Sequence, residues 1–146
     1  MQLDSLYQEV ILDHYKRPQH KGLAGTYDAQ VHHVNPSCGD EITLSVTLDG
    51  DKVAAITWDG VGCSISQASV SIMSSLMMNK ELSQAQTILD EFVALMQSKG
   101  NGSPDVSVLE DAVAFAGVSQ YPARIKCALL GWMAFKDASV QAQKKN

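Results

Sequence analysis

Three cysteines, Cys38, Cys63 and Cys127, and one acidic residue, Asp40, concentrate the reactive chemistry of this 146-residue chain. Cys38 and Asp40 stand two positions apart in the run Asn35-Pro36-Ser37-Cys38-Gly39-Asp40. The glycine between them permits a backbone turn that lets both side chains converge. Cys63 follows Gly60-Val61-Gly62 and opens a helical pattern, and the unpaired N–H groups of a helix start favour a thiolate. Cys127 lies in the first turns of the last helical segment, with Arg124 and Lys126 close in sequence. An odd number of cysteines cannot pair off completely within the chain, and a reducing compartment disfavours structural disulfides. The plain reading is three small buried apolar residues. Their placement at element ends and loops favours a shared site instead. Three thiolates and a carboxylate make four ligands, the usual number for tetrahedral zinc. The same set would also hold a labile iron–sulfur cluster, weakened by its oxygen ligand. The cysteine spacing is neither a zinc-finger nor a ferredoxin pattern. A site gathered from distant loops suits catalysis or transfer better than structural stapling.

Other polar residues earn less weight. His14 and Tyr15, at the end of the first helix, read as packing or partner surface. His32 and His33 precede the cysteine turn, with nothing to make them ligands. Trp58 and Trp132 read as core aromatics, and Met73, Met77 and Met78 as core filling rather than a copper site.

The elements that must position these groups follow from periodicity. Leu3, Leu6, Tyr7, Val10, Ile11 and Tyr15 share one face of a helix that Pro18 stops. From Ala29 the period becomes two: Val31 and His33 open a strand interrupted at Asn35-Pro36. Ile42, Leu44, Val46 and Leu48 then alternate with polar residues in a half-buried strand. Asp49-Gly50 is a turn signal, and Lys52 to Trp58 reads as the return strand. Helices are expected over Ser64–Met78, Gln84–Ser98, Val108–Phe115 and from Pro122 to about Ala138, with a loop at Lys99–Asp105. Strands first and helices afterwards imply an α+β domain. It would have a small antiparallel sheet of about three strands covered on one face by helices, with a helix at the N-terminus. A single domain over residues 1–140 is expected, followed by a polar flexible tail over 141–146.

Composition narrows the function classes. With 45% apolar residues and a net charge of −5, the chain is neither disordered nor a candidate for backbone recognition of nucleic acid. No run of 18 uncharged apolar residues exists, so no membrane span is expected. The opening MQLDSLYQEV has no basic-then-apolar export signal, so the cytoplasm is the expected compartment.

The segments NPSCGD around Cys38, GVGCSISQASVS around Cys63 and YPARIKCALLGW around Cys127 resemble the three signatures of SufU-type iron–sulfur assembly proteins. These belong to the wider IscU/NifU N-terminal scaffold superfamily. LYQEVILDHYKRPQHKG is similar to that family's N-terminal helix and loop, so the resemblance covers nearly the whole chain. It implies that Cys38, Asp40, Cys63 and Cys127 bind one Zn²⁺. It further implies a zinc-dependent sulfurtransferase that accepts persulfide sulfur on Cys38 from a PLP-dependent cysteine desulfurase of SufS type. A desulfurase histidine is implied to enter the zinc shell during the exchange. The sulfur would then pass to Suf scaffold proteins. Arg124 is implied to steady an anionic thiolate or persulfide. The alternative is a scaffold that builds a [2Fe–2S] cluster, or binds iron, on the same ligands. Lys126 stands where the housekeeping IscU branch has a histidine. YPARIK replaces the Leu-Pro-Pro-Val-Lys patch of that branch, so no chaperone partnership is expected.

Overall fold

A computed structural model describes residues 2–37 and 39–145. Cys38 lies outside the described residues. The chain runs α1 (Gln2–Lys16), β1 (Ala29–Asn35), β2 (Asp40–Asp49), β3 (Lys52–Val61), α2 (Ser64–Met77), α3 (Leu82–Gln97), α4 (Val106–Leu109), a 3₁₀ stretch (Glu110–Gln120) and α5 (Pro122–Lys145). The three strands form one antiparallel sheet in the order β1-β2-β3. This is the expected α+β arrangement.

The alternation in β2 places Ile42, Leu44, Val46 and Leu48 on the buried face, where they meet Ala29 and Val31 of β1. In β3 the two-residue period breaks, because Val53 and Ile56 are both buried. A bulge accounts for this: Thr47 pairs with Ala55 while Leu48 pairs with Val53, so one extra residue of β3 is accommodated. β1 is not interrupted at Asn35. It ends there, with Asn35 directly opposite Asp40 at the start of β2. The outer edge of β3 is partly covered by the segment after α1, through Gly22 N–H to the Trp58 carbonyl (2.7 Å) and Trp58 N–H to the His20 carbonyl (3.2 Å).

The helices cover one face. α2 is buried nearly all round: from Ser66 to Met77 only Ser75 is exposed, and its serines and Gln67 are enclosed with its apolar residues. It is central, held between α1 and α5. The α2–α5 crossing is close: a methyl group on Gly131 would lie 2.6 Å from Val70 Cβ. Trp132 stacks on Phe92 with ring centroids 3.9 Å apart and 4° between planes. Both tryptophans are fully buried with their N–H groups engaged, Trp58 on the Gln19 carbonyl and Trp132 on Ser69 Oγ. Met73 and Met77 are buried core residues, as expected, whereas Met78, at the end of α2, is only half-buried.

Two helical expectations change. The segment expected as a helix over Val108–Phe115 is instead a short α-helix followed by a 3₁₀ stretch. Asp105 caps α4 by accepting the Ser107 N–H (3.0 Å), and Glu110 turns the chain with a φ of 47°. Leu109, Ala112, Phe115 and Val118 are all buried. Val113 and Ala114 between them are buried too, so the segment is enclosed on more than one side as a 3₁₀ coil rather than packed by one face of a 3.6-residue helix. α5 also continues past Ala138 to Lys145, because Ala138 and Ala142, one turn apart, are both fully buried against the body of the fold. No helix among the described residues is long and apolar enough to cross a membrane.

Candidate metal site

The hairpin base, the β3–α2 junction and the first turns of α5 meet at one end of the sheet. There Asp40, Cys63 and Cys127 bring one carboxylate oxygen and two sulfurs within 4.8 Å of one another. Asp40 is 1% exposed and Cys127 5%, whereas Cys63 opens to solvent. A nearly closed pair behind an accessible thiol is the result.

Each position has a local cause. Gly39 takes a φ of 71°, the left-handed conformation its lack of a side chain permits, and its N–H closes the 36–39 connection on the Asn35 carbonyl (3.0 Å). Asp40 begins β2, and its Oδ1 accepts the Cys63 N–H at 2.9 Å, which leaves Oδ2 3.7 Å from Cys63 Sγ. Cys63 is the N-cap of α2, with extended φ of −69° and ψ of 168°, and its side chain makes no capping bond. Its sulfur therefore stands at the positive end of a 14-residue helix. Ser66, one turn on, donates to the Cys63 carbonyl (3.1 Å) with its Oγ 3.9 Å from the sulfur. Cys127 sits on the inward face of α5, 3.6 Å from the Ala123 carbonyl.

Gly62 is required by this packing. A methyl group there would lie 2.5 Å from both Asp40 Oδ1 and Ser66 Oγ. The motif Gly60-Val61-Gly62-Cys63 reads as a junction in sequence, but the need for a bare α-carbon beneath the carboxylate is visible only in three dimensions. Asn35 and Ser66 were likewise not singled out by sequence reasoning. Asn35 Nδ2 donates to Cys127 Sγ at 3.9 Å, a contact across 92 residues.

The donor set fits a soft divalent ion. Zinc–ligand bonds of about 2.0–2.3 Å place tetrahedral donors roughly 3.3–3.8 Å apart. The Cys63 Sγ–Asp40 Oδ2 separation already falls in that range. With both sulfurs deprotonated, as metal ligands must be, they and the buried carboxylate would repel one another, and a cation offsets that repulsion. Cys38, the fourth expected ligand, lies outside the described residues, in the connection between Asn35 and Asp40.

The remaining candidates lie elsewhere. The exposed Arg124 has its guanidinium 5.2 Å from the centre of the Tyr121 ring, and Lys126 is exposed on the next turn. His32 bonds Thr43 Oγ1 (2.9 Å), His33 bonds Asp137 (2.9 Å), and His14 Nδ1 bonds Ser71 Oγ (2.8 Å). None of the three joins the sulfurs. A cavity of about 460 Å³ lies at the far end of the sheet, between the β2–β3 turn and α5. It contains Asp51 and Lys136 and is remote from the thiols, whereas a cavity of about 430 Å³ lined by Asn35, Pro36, Ser37 and Lys126 adjoins the β1–β2 connection. The site is a convergence of donors at a rim. Val34 and Val61, each more than half exposed, stand on strands that end there, and the equally open Tyr121 immediately precedes α5.

Comparison with known proteins agrees with this architecture. Residues 6–128 match the model of the NifU-like N-terminal domain. The zinc-dependent sulfurtransferase SufU of Bacillus subtilis is 42% identical over 144 residues, covering 99% of this chain and 96% of that protein. The iron–sulfur cluster assembly scaffold protein IscU of Streptococcus pyogenes is 42% identical over 137 residues, covering 93% and 84% respectively. The crystal structure of FiSufU from Fervidobacterium islandicum superposes with a TM-score of 0.83 at 33% identity, covering 90% of this chain and 94% of that one. The chain belongs to the NifU-like N-terminal domain family, alongside the SufU and IscU proteins.

Proposed function

We propose that this protein serves iron–sulfur cluster assembly as a zinc-dependent sulfur acceptor. The observation that carries the reading is the convergence of Asp40, Cys63 and Cys127 within 4.8 Å beside the β1–β2 connection, in whose sequence Cys38 lies. The near-full-length likeness to B. subtilis SufU supports zinc and sulfur transfer as the chemistry. Asp40, Cys63 and Cys127, with Cys38, are the proposed ligands. When bound, zinc keeps the thiolates deprotonated yet restrained.

Cys38 is the proposed carrier. Its thiolate attacks the outer sulfur of a persulfide on a PLP-dependent cysteine desulfurase of SufS type. The S–S bond of that persulfide breaks, the inner sulfur leaves as the desulfurase thiolate, and Cys38 becomes the persulfide. No net oxidation occurs, so no further reactant is needed. Asp40 holds its place through the Cys63 N–H, and Arg124, exposed on the turn before Cys127, is the group proposed to steady an anionic sulfur. Suf scaffold proteins are the proposed recipients, in the cytoplasm.

Mass spectrometry after incubation with desulfurase and L-cysteine tests the carrier. A persulfide on native protein and none on Cys38→Ser is the expected result, and an undiminished persulfide on that variant overturns the assignment. A second reading, a scaffold for a [2Fe–2S] cluster, is favoured by the equal 42% identity to S. pyogenes IscU. Metal analysis separates the two: a colourless protein with one zinc supports sulfur transfer, and a brown one with visible absorption supports the scaffold.

A further inference from the structure

Asn35 and Asp40 face one another where β1 turns into β2, and their side chains reach different cysteines. Asp40 accepts from the Cys63 N–H, while Asn35 Nδ2 approaches Cys127 Sγ at 3.9 Å. Asn35 is 7% exposed, so the contact is shielded from water. The other end of the same amide, Oδ1, receives the Ser37 N–H at 3.3 Å, and the Asn35 carbonyl receives the Gly39 N–H at 3.0 Å. The orientation of the amide follows from this partner. A backbone N–H is only a donor, so the oxygen must face Ser37 and the NH₂ group must face the sulfur.

We propose that Asn35 is a positioning residue that donates an N–H to the Cys127 sulfur while bracing the turn that carries Cys38. The inference rests on the metal reading given above. One amide thereby ties the ligand on α5 to the loop of the proposed sulfur carrier. Donation to a metal thiolate draws electron density from sulfur and fixes the direction of its lone pairs, as outer partners of metal ligands generally do. In a shielded position that effect is not diluted by competing water.

Two variants separate donation from bracing. Asn35→Ala loses both functions, whereas Asn35→Ser keeps a side-chain oxygen able to accept from the turn but loses the N–H that reaches the sulfur. Zinc affinity is read by chelator competition, and the sulfur-to-metal charge-transfer band is read on cobalt-loaded full-length protein. Both variants are expected to bind zinc about tenfold more weakly. Both should also shift the band to longer wavelength, because a thiolate without its donor is more easily oxidised. Native protein loaded with ¹¹³Cd is expected to show scalar coupling between the metal and the Asn35 side-chain N–H, which decides the matter if either variant fails to fold. An Asn35→Ser protein with native zinc affinity and an unshifted band, together with no such coupling in the native protein, overturns the inference. Native protein that takes up no metal refutes the metal reading itself, a result distinct from metal-loaded protein indifferent to Asn35.

Discussion

Ser66 and Ser69 lie one turn apart on α2, yet they belong to regions organised on different principles. Ser69 is fully buried: its hydroxyl donates to the Ala128 carbonyl (2.6 Å) and accepts the Trp132 N–H (2.9 Å). Every polar group in that interior region is spent on another polar group, and the aromatic stack of Trp132 on Phe92 closes over it. Ser66 looks the other way, toward Cys63, where the amide of Asn35, the carboxylate of Asp40 and two sulfurs gather. Polar groups of the α2–α5 interior saturate one another and hold helices together. Those at the rim converge on sulfur, and the residue they surround, Cys63, is open to solvent. A fold that keeps its stability in one region has freedom to gather mutually repelling donors in the other.

That division is open to experiment. The largest effect is expected from Trp132→Ala, which removes the stacked, fully buried ring. Urea unfolding should show a loss of about 3–5 kcal/mol, while the metal affinity of the protein that remains folded stays near native. Equal damage to both properties would dissolve the distinction. Gly62→Ala tests the rim in the opposite sense. Its methyl group must displace Asp40 or Ser66, so metal affinity should fall by about 10–100-fold in chelator competition. Ser69→Ala is expected to cost about 1–3 kcal/mol in urea, because the buried Trp132 N–H loses its acceptor. Ser66→Ala should leave stability nearer native than Ser69→Ala does in the same urea titrations, and the reverse order would remove the distinction between the two regions.

The smallest effect concerns Asp137, at the margin between the regions. Its carboxyl is held below the ordinary value of 3.8, first by the hydrogen bond from His33 and next by that from Gln141. A carboxyl lowered in the folded state contributes stability that is complete above its ordinary value and is lost as pH falls through the lowered one. The Asp137 side chain is 42% exposed, so after solvent screening Asp137→Asn should cost only about 0.5 kcal/mol at neutral pH. The difference from native should shrink as pH falls below the ordinary carboxylate value and vanish only below the lowered one, as measured by urea titrations across that range. A difference that persists there would mean packing, not charge, links β1 to α5.

Much of the fold was legible because its signals are local. The alternation from Ile42 to Leu48, the Asp49-Gly50 turn and Pro122 at the start of the last helix each act within a few residues. The bulge opposite Leu48 was not legible, since a register shift is a property of two strands. The 3₁₀ stretch was not legible, because the unbroken apolar run from Ala112 to Ala116 shows no three-residue period and 3₁₀ runs of that length are uncommon. The extension of α5 to Lys145 hides in a polar tail whose small alanines become informative only when something packs on them.

The amino-acid sequence by itself determined the chemical inventory and its neighbourhood: three thiols, one carboxylate beside the first, a glycine before the second and a helix start for the third. Family resemblance supplied their use. Only the tertiary structure decided that Asp40, Cys63 and Cys127 meet, that Gly62 must lack a side chain and that Asn35 reaches the sulfur on α5. The reason is physical. Turns and helix starts depend on neighbours along the chain, whereas a site built from residues as far apart as Asn35 and Cys127 exists only once the sheet and helices have packed.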